Sequence, residues 1–216
     1  MWVGGTVDNE APKPGLIERM ALRHRARVYV RLIVPWLAQP RRIIMAEVPA
    51  GSRVLDIACG TGELVLALAP SCAEAVGVDL DPAKIDYACG REGADERFTV
   101  ADATSLPFED GRFDVTTLSM ALHGLAVDAR QQALTEALRV APRVLALDYA
   151  TPLPSNPTAW LLRLIERGSP TEHHAGFVSF LALGGMEPLA ASCGAEANRV
   201  GSALSGCVEL WTVRSS

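Results

Sequence analysis

The chain has 216 residues, 49% of them apolar and 21% charged, with a formal net charge of −5. That length suits one domain with a sizeable core, and the composition excludes a disordered chain. The acidic balance argues against nucleic-acid binding over the whole surface, so no nucleic-acid partner is expected.

The charge is uneven. Residues 1–50 hold Lys13 and seven arginines against four acids, about +4, which leaves about −9 for the rest. An arginine-rich helix with a solvated face explains this, and so does a lid that meets an anionic substrate or a membrane surface. The five cysteines, Cys59, Cys72, Cys89, Cys193 and Cys207, form no C-x-x-C pair and no zinc spacing. We therefore expect reduced thiols in a cytoplasmic protein and no metal site. The opening residues lack the basic-then-apolar order of a signal peptide. The apolar run 28–38 is broken by Arg31 and Pro35 and is too short to span a bilayer, so stable membrane insertion is not expected.

Taken in chain order, residues 1–15 are Gly/Pro-rich and read as an arm. Residues 16–45 read as helical, interrupted at Pro35 and Pro40. Arg53–Ile57 reads as a strand, followed by a Gly-rich turn and a helix over 63–69. A second strand, 75–78, ends at Asp79. Asp81-Pro82 then starts a helix to Cys89, because Asp caps well and Pro is favoured at the first helical position.

Phe98–Val100 and 113–118 read as strands, 126–140 as an amphipathic helix and 144–148 as a strand. The segment 151–170 is punctuated by Pro152, Pro154, Pro157 and Pro170 around an apolar stretch, 160–165. Residues 176–193 read as a helix with an awkward Gly184-Gly185. Two closing strands, 195–200 and 207–213, are joined by a connection short enough only for antiparallel neighbours. Strands alternating with helices imply a mostly parallel sheet covered on both faces. The domain reading is an N-terminal arm and helical lid over 1–47, then one α/β domain over 48–216, with 151–186 as a substrate cap.

The chemistry concentrates at the strand exits. Val54-Leu55-Asp56-Ile57-Ala58-Cys59-Gly60-Thr61-Gly62 delivers a strand to a turn whose glycines let backbone amides approach a ligand. By itself this is also compatible with a plain tight turn. Asp79 stands 17 residues beyond Gly62, where a carboxylate can accept from a ribose diol. A dinucleotide fingerprint would continue to a third glycine, but Val65 stands there, a poor fit to close packing over a pyrophosphate. No P-loop G-K-[ST] occurs. An adenosyl ligand without phosphates fits better. Asp56 can accept from an ammonium group or fix loop amides; otherwise it is a buried carboxylate that needs a partner. Ala101-Asp102-Ala103-Thr104-Ser105-Leu106-Pro107-Phe108 places a carboxylate and small residues just past a strand, suited to the edge of an adenine. Phe113-Asp114 opens a strand that runs into Met120-Ala121-Leu122-His123-Gly124-Leu125 at the same edge.

These four ordered segments resemble the class I S-adenosylmethionine-dependent methyltransferases, in particular the quinone-biosynthesis and small-molecule branch. That branch carries a D-x-x-x-L-P-F segment, an F-D strand and an L-H-H-L-like loop. The resemblance covers about residues 50–150. It implies a Rossmann-like seven-stranded sheet with the last strand antiparallel, and S-adenosylmethionine as cofactor with S-adenosylhomocysteine as product. It implies that Asp56, Ala58, Cys59, Gly60 and Gly62 lie near the methionine part. Asp79 would hold the ribose, Leu80 would cover the adenine, Asp102 and Ala103 would meet its edge, and Met120 would lie beside the cofactor. The chain departs at Gly124, where the second histidine of the loop belongs, and at the exit of the fifth strand, Asp148-Tyr149.

His123 is the candidate base, with loop packing as its alternative. His173 and His174 are neighbours that point apart and read as an exposed helix turn. Tyr29, Trp36 and Tyr149 are candidates for the acceptor wall, with Trp160, Leu161, Leu164, Phe177 and Phe180 adding apolar surface. The expected function is methyl transfer to a small, apolar or aromatic acceptor by a monomer or homodimer. The alternatives are a non-catalytic cofactor-binding protein and a nicotinamide-dependent oxidoreductase.

Overall fold

A computed structural model describes residues 38–94 and 96–215. The arm and most of the expected lid, with Tyr29 and Trp36, lie outside the described residues. The first described element, helix α1 (Ala38–Glu47), contains Pro40 and is not interrupted by it. Pro40 is the third residue of the helix, where no backbone N–H bond is lost, so the expected break is corrected.

From there the chain alternates strand and helix. The order is β1 (Arg53–Ile57), α2 (Glu63–Leu68), β2 (Glu74–Asp79), α3 (Pro82–Cys89), β3 (Phe98–Val100), β4 (Val115–Ser119), a 3₁₀ turn (Leu122–Gly124) and α4 (Val127–Val140). Then follow β5 (Val144–Tyr149), α5 (Pro157–Arg167), α6 (Thr171–Leu183), α7 (Met186–Ser192), β6 (Ala195–Ala203) and β7 (Val208–Ser215). Asp81 caps α3 by accepting from the Ala83 amide at 2.9 Å, with Pro82 following, as its residue types require.

The seven strands form one sheet in the order β3-β2-β1-β4-β5-β7-β6. All neighbours pair parallel except β7, which runs antiparallel to both β5 and β6. The central strands are mostly apolar, as a sheet covered on both faces demands: Val54, Leu55, Ile57, Val144, Leu145 and Leu147 are all buried. The strand order reverses between β1 and β4. Ligands bind at such a reversal, beyond the carboxyl ends of the strands.

Two elements differ from expectation. The segment 151–170 contains a helix, α5, started by Asn156, which accepts from the Ala159 amide at 2.9 Å, and by Pro157 in the first turn. This is the same device as Asp81-Pro82, masked here by the other prolines. The helix expected over 176–193 begins instead at Thr171 and breaks at Gly184-Gly185 into α6 and α7, bent by 87°. Both glycines have positive φ, and a Cβ on Gly185 would lie 2.1 Å from Thr151 Oγ1. Among the described residues no single helix is long and apolar enough to cross a membrane. The apolar residues Phe177, Phe180, Met186 and Leu189 of the bent pair are buried.

Candidate functional site

The crevice at the reversal is bounded by the exits of β1 and β4. Register pairs Ile57 with Leu118, so Ala58 leaves β1 level with Ser119, one residue before Met120. Ala58 and Met120 adopt left-handed backbone, φ 57° and 54°, without being glycine. Such conformations are uncommon and cluster where a ligand is gripped. Two on adjacent strands mark one place.

The loop between β1 and α2 is shaped by its neighbours. Gly62, φ 82°, has no room for a side chain: a Cβ there would lie 2.5 Å from the Phe98 ring. Gly60, φ 59°, faces open space, with nothing within 4 Å of such a Cβ. One glycine is thus spent on packing and the other leaves a bare backbone toward the crevice. Val65, at the position of a third glycine, packs against β2, where Gly77 makes way. A Cβ on Gly77 would lie 2.9 Å from Val65 Cγ2 and 2.8 Å from Cys59 Sγ. The close helix–strand approach is retained, with the small residue moved to the strand. Burial drives the Cys59 thiol pKa upward, so Cys59 is an inert packing group.

Asp79 ends β2 and is buried. Its Oδ2 accepts from the Gly60 amide at 2.8 Å, and its Oδ1 accepts from the Asp81 amide at 2.9 Å, with Lys84 Nζ at 3.5 Å. The loop amide is therefore fixed by Asp79 and not by Asp56. An ionised carboxylate has about four acceptor positions, so Asp79 keeps capacity for a diol. Leu80 beside it is 66% exposed, an apolar face with nothing over it in the described fold.

Asp102 is exposed and receives the Thr104 amide and hydroxyl at 2.9 and 2.8 Å, both on Oδ1. Its Oδ2 is left for a donor such as an exocyclic amine. Ala103 beside it is half-buried against the core. Asp56 is buried between β1 and β4 and accepts from Thr117 Oγ1 at 2.6 Å. Burial raises its pKa to about 7, with the Thr117 bond opposing and the Asp79 charge adding. A cation placed there would ionise it.

A second group of residues assembles beyond β4 and β5. His123, in the 3₁₀ turn, is buried. Its Nδ1 lies 2.7 Å from Asp148 Oδ1, and its backbone amide donates to Asp148 Oδ2 at 3.1 Å. Its Nε2 faces Glu166 Oε1 at 3.7 Å. Tyr149 donates to that same Oε1 at 2.8 Å. His173 Nε2 stands 3.1 Å from Glu166 Oε2. Burial alone would lower the His123 pKa, but the charge and hydrogen bond of Asp148, with Glu166, outweigh it and hold it above the ordinary value. Burial and Glu166 push the Tyr149 phenol up, so it remains a donor.

Helix α6 seats directly on this turn. A Cβ on Gly176 would lie 2.8 Å from the backbone of His123 and Gly124, and one on Gly124 would lie 2.4 Å from His173 Nδ1. The imidazole of His173 thus fills the space over Gly124, where the L-H-H-L pattern has its second histidine. Arg130, fully buried, clamps the junction by donating to the carbonyls of Leu122, Leu125 and Gly176, each at 2.8 Å.

His173 and His174 do lie in a first helical turn, but half-buried rather than exposed. Phe177 and Phe180 are core, whereas Trp160 and Leu164 on α5 are exposed. Sequence reading missed Asp148, Glu166 and Arg130. The only signal for Asp148 was a charge ending an otherwise apolar strand, and for Glu166 and Arg130 there was none.

The comparisons with known proteins agree with this geometry. Residues 54–142 match the family model described as a methyltransferase domain. The solved structures include a TehB-like S-adenosylmethionine-dependent methyltransferase from Corynebacterium glutamicum. It has a TM-score of 0.60 at 20% identity, with 91% of this chain and 99% of that one covered. Residues 54–142 thus resemble a methyltransferase domain, and the fold is the one seen in S-adenosylmethionine-dependent methyltransferases.

Its relatives include methyltransferases of quinone biosynthesis. A demethylmenaquinone methyltransferase of Clavibacter sepedonicus is 40% identical over 108 residues, 48% of this chain and 43% of the relative. A ubiquinone/menaquinone biosynthesis C-methyltransferase of Dinoroseobacter shibae is 31% identical over 158 residues, 68% of this chain and 59% of the relative. The chain spans about half the length of the curated relatives it matches.

Proposed function

We propose that this chain transfers a methyl group from S-adenosylmethionine to a small apolar or aromatic acceptor. The observation that carries the reading is the paired left-handed exits of β1 and β4, Ala58 and Met120, beside the buried acceptor Asp79. Fold alone does not carry it, since the structural neighbours also include a [4+2]-cyclase, with a TM-score of 0.54.

The cofactor supplies a sulfonium-activated methyl group when bound. The residues present fit it. Asp79 offers acceptors to a ribose, Leu80 an apolar cover for a base, Asp102 an acceptor for an amine and Asp56 a counter-charge for an ammonium. Gly60, with Ala58 and Cys59, gives bare backbone beside the methionine portion. A protein of this kind needs mainly to align the nucleophile and exclude water.

The acceptor side is built by the β5 exit and the cap formed by α5 and α6. His123 is the proton acceptor of this side, oriented by Asp148 through Nδ1, with half-exposed His173 as the member that reaches the acceptor. Tyr149 is a positioning residue, since its hydroxyl is bound to Glu166. Tyr29 and Trp36 remain candidates for the opposite wall. We take the chain to work in the cytoplasm as a monomer or homodimer.

The test is methyl transfer from isotopically labelled cofactor to a panel of hydroxylated aromatic and quinol acceptors. Turnover on at least one, lowered by His123→Gln with cofactor-product affinity unchanged, supports the reading. No labelled product from a chain that binds the cofactor would leave a binding protein instead.

A further inference from the structure

His123, Glu166 and His173 come from three separate elements, yet one ligand atom of each lies within 4.8 Å of the others. The individual gaps are 3.7 Å from His123 Nε2 to Glu166 Oε1 and 3.1 Å from His173 Nε2 to Glu166 Oε2. A tetrahedral zinc ion with bonds of about 2.0–2.1 Å holds its ligands about 3.3 Å apart. The two gaps reach different oxygens of Glu166, and with all three ligand atoms within 4.8 Å of one another the residues stand within reach of one coordination shell.

Three further observations point to a ligand. Glu166 Oε2 is buried and makes no hydrogen bond, with His173 Nε2 3.1 Å away as its only ion-pair contact among the described residues. Second, Asp148 holds His123 through Nδ1 at 2.7 Å, which leaves Nε2 as the cluster-facing nitrogen. This is the carboxylate–histidine arrangement that supports metal-bound imidazoles. Third, Tyr149 donates to Glu166 Oε1, so the carboxylate is held in place from behind. Two buried carboxylates, Asp148 and Glu166, flank His123 on its two nitrogens.

We propose that His123, Glu166 and His173 bind one divalent transition metal ion, zinc by preference, with its fourth position open on the half-exposed His173 side. Two imidazoles and a carboxylate are the donor set of open, three-ligand zinc sites. An oxygen of the methyl acceptor is the natural occupant of the open position; that use rests on the methyl-transfer reading, whereas the metal site itself does not. A metal and a proton compete for the same Nε2 of His123, so the metal-loaded chain would replace a proton acceptor with a Lewis acid.

The experiment adds cobalt(II), then zinc(II), to the chelator-treated full chain and follows equilibrium dialysis and the visible absorption of bound cobalt. One ion per chain is expected, with the intense bands of a low-symmetry site, displaced by zinc. Glu166→Gln and His173→Ala should each weaken binding by more than about a hundredfold, since outer-shell partners alone account for about ten- to a hundredfold. Tyr149→Phe should weaken it by about tenfold, and His174→Ala should leave it unchanged. His173 is half-exposed, so its variant keeps the fold and remains a fair test even if Glu166→Gln does not. No stoichiometric ion, or binding untouched by His173→Ala, overturns the proposal. A titration with S-adenosylhomocysteine in the same preparation separates the two readings. A chain that binds the cofactor product but no cobalt loses only the metal site. A chain that binds cobalt but no cofactor product keeps it and loses the methyl-transfer reading.

Discussion

The two halves of the crevice are built by different means. The cofactor half, at the exits of β1, β2 and β4, is made of backbone: left-handed Ala58 and Met120, bare Gly60, and a carboxylate that holds a loop amide. Its loop and carboxylate, Gly60 and Asp79, belong to one strand–loop–helix–strand unit, which Met120 meets from β4. The acceptor half is made of side chains that meet from distant places: His123 and Asp148 across 25 residues, Tyr149 and Glu166 across 17, and Arg130 to Gly176 across 46. A half made of backbone tolerates little change in local geometry. A half made of side chains depends on buried charges staying paired.

The largest effect should therefore come from the acceptor half. Arg130→Ala removes the donor to three carbonyls and leaves them buried, and we expect a stability loss of about 3–5 kcal/mol by urea unfolding, the scale for breaking a buried charged network. A loss under about 1 kcal/mol would mean that the cap is held by its apolar contacts alone.

Next comes a pair within the cofactor half. Gly62→Ala meets both a left-handed backbone and the Phe98 ring, so it should cost about 2–4 kcal/mol. Gly60→Ala meets only the backbone strain, about 1–2 kcal/mol. The smaller stability loss at Gly60 should be accompanied by the larger loss of cofactor-product affinity, since it is Gly60 that faces the open side. Equal effects at the two positions in both assays would contradict the division of labour between them.

The third effect is on pH dependence. The Asp56 pKa, about 7, is raised above its ordinary value, so the folded chain favours the neutral acid there. The stability it contributes is therefore present at low pH and declines as pH rises from the ordinary carboxylate range through 7. Binding of a cation runs the other way, because it selects the ionised form. Affinity for S-adenosylhomocysteine should fall by up to about tenfold per pH unit below 7 and level off above it. Asp56→Asn should flatten that profile.

The smallest is a helix cap. Asn156→Ala should destabilise α5 by about 1 kcal/mol, read as a drop in melting temperature without a change in cofactor-product affinity.

The same contrast explains what could be read from the amino acids alone. The sheet, its antiparallel closing pair and the Asp81-Pro82 helix start were legible because each rests on neighbours in sequence. So were Gly60, Gly62 and Asp79, whose spacing is fixed by one strand–loop–helix–strand unit. Glu166 was not, because the helix that carries it was hidden among prolines and its partners come from β5 and the β4 loop. His173 was read as a solvated helix turn. Its place over Gly124 depends on α6 seating through Gly176, a tertiary contact that periodicity does not reveal. Gly124 itself was visible as a missing histidine, and the structure shows what stands in its place.

The central claim is that Asp79 and the Gly60 loop hold an adenosyl cofactor. The direct measurement is a calorimetric titration of S-adenosylhomocysteine into the full chain and into Asp79→Asn. Micromolar binding by the natural chain, weakened in the variant by about 1.5–3 kcal/mol as expected for losing charged hydrogen bonds, is what this account predicts. No binding to the natural chain, or equal affinity in the two, would contradict it.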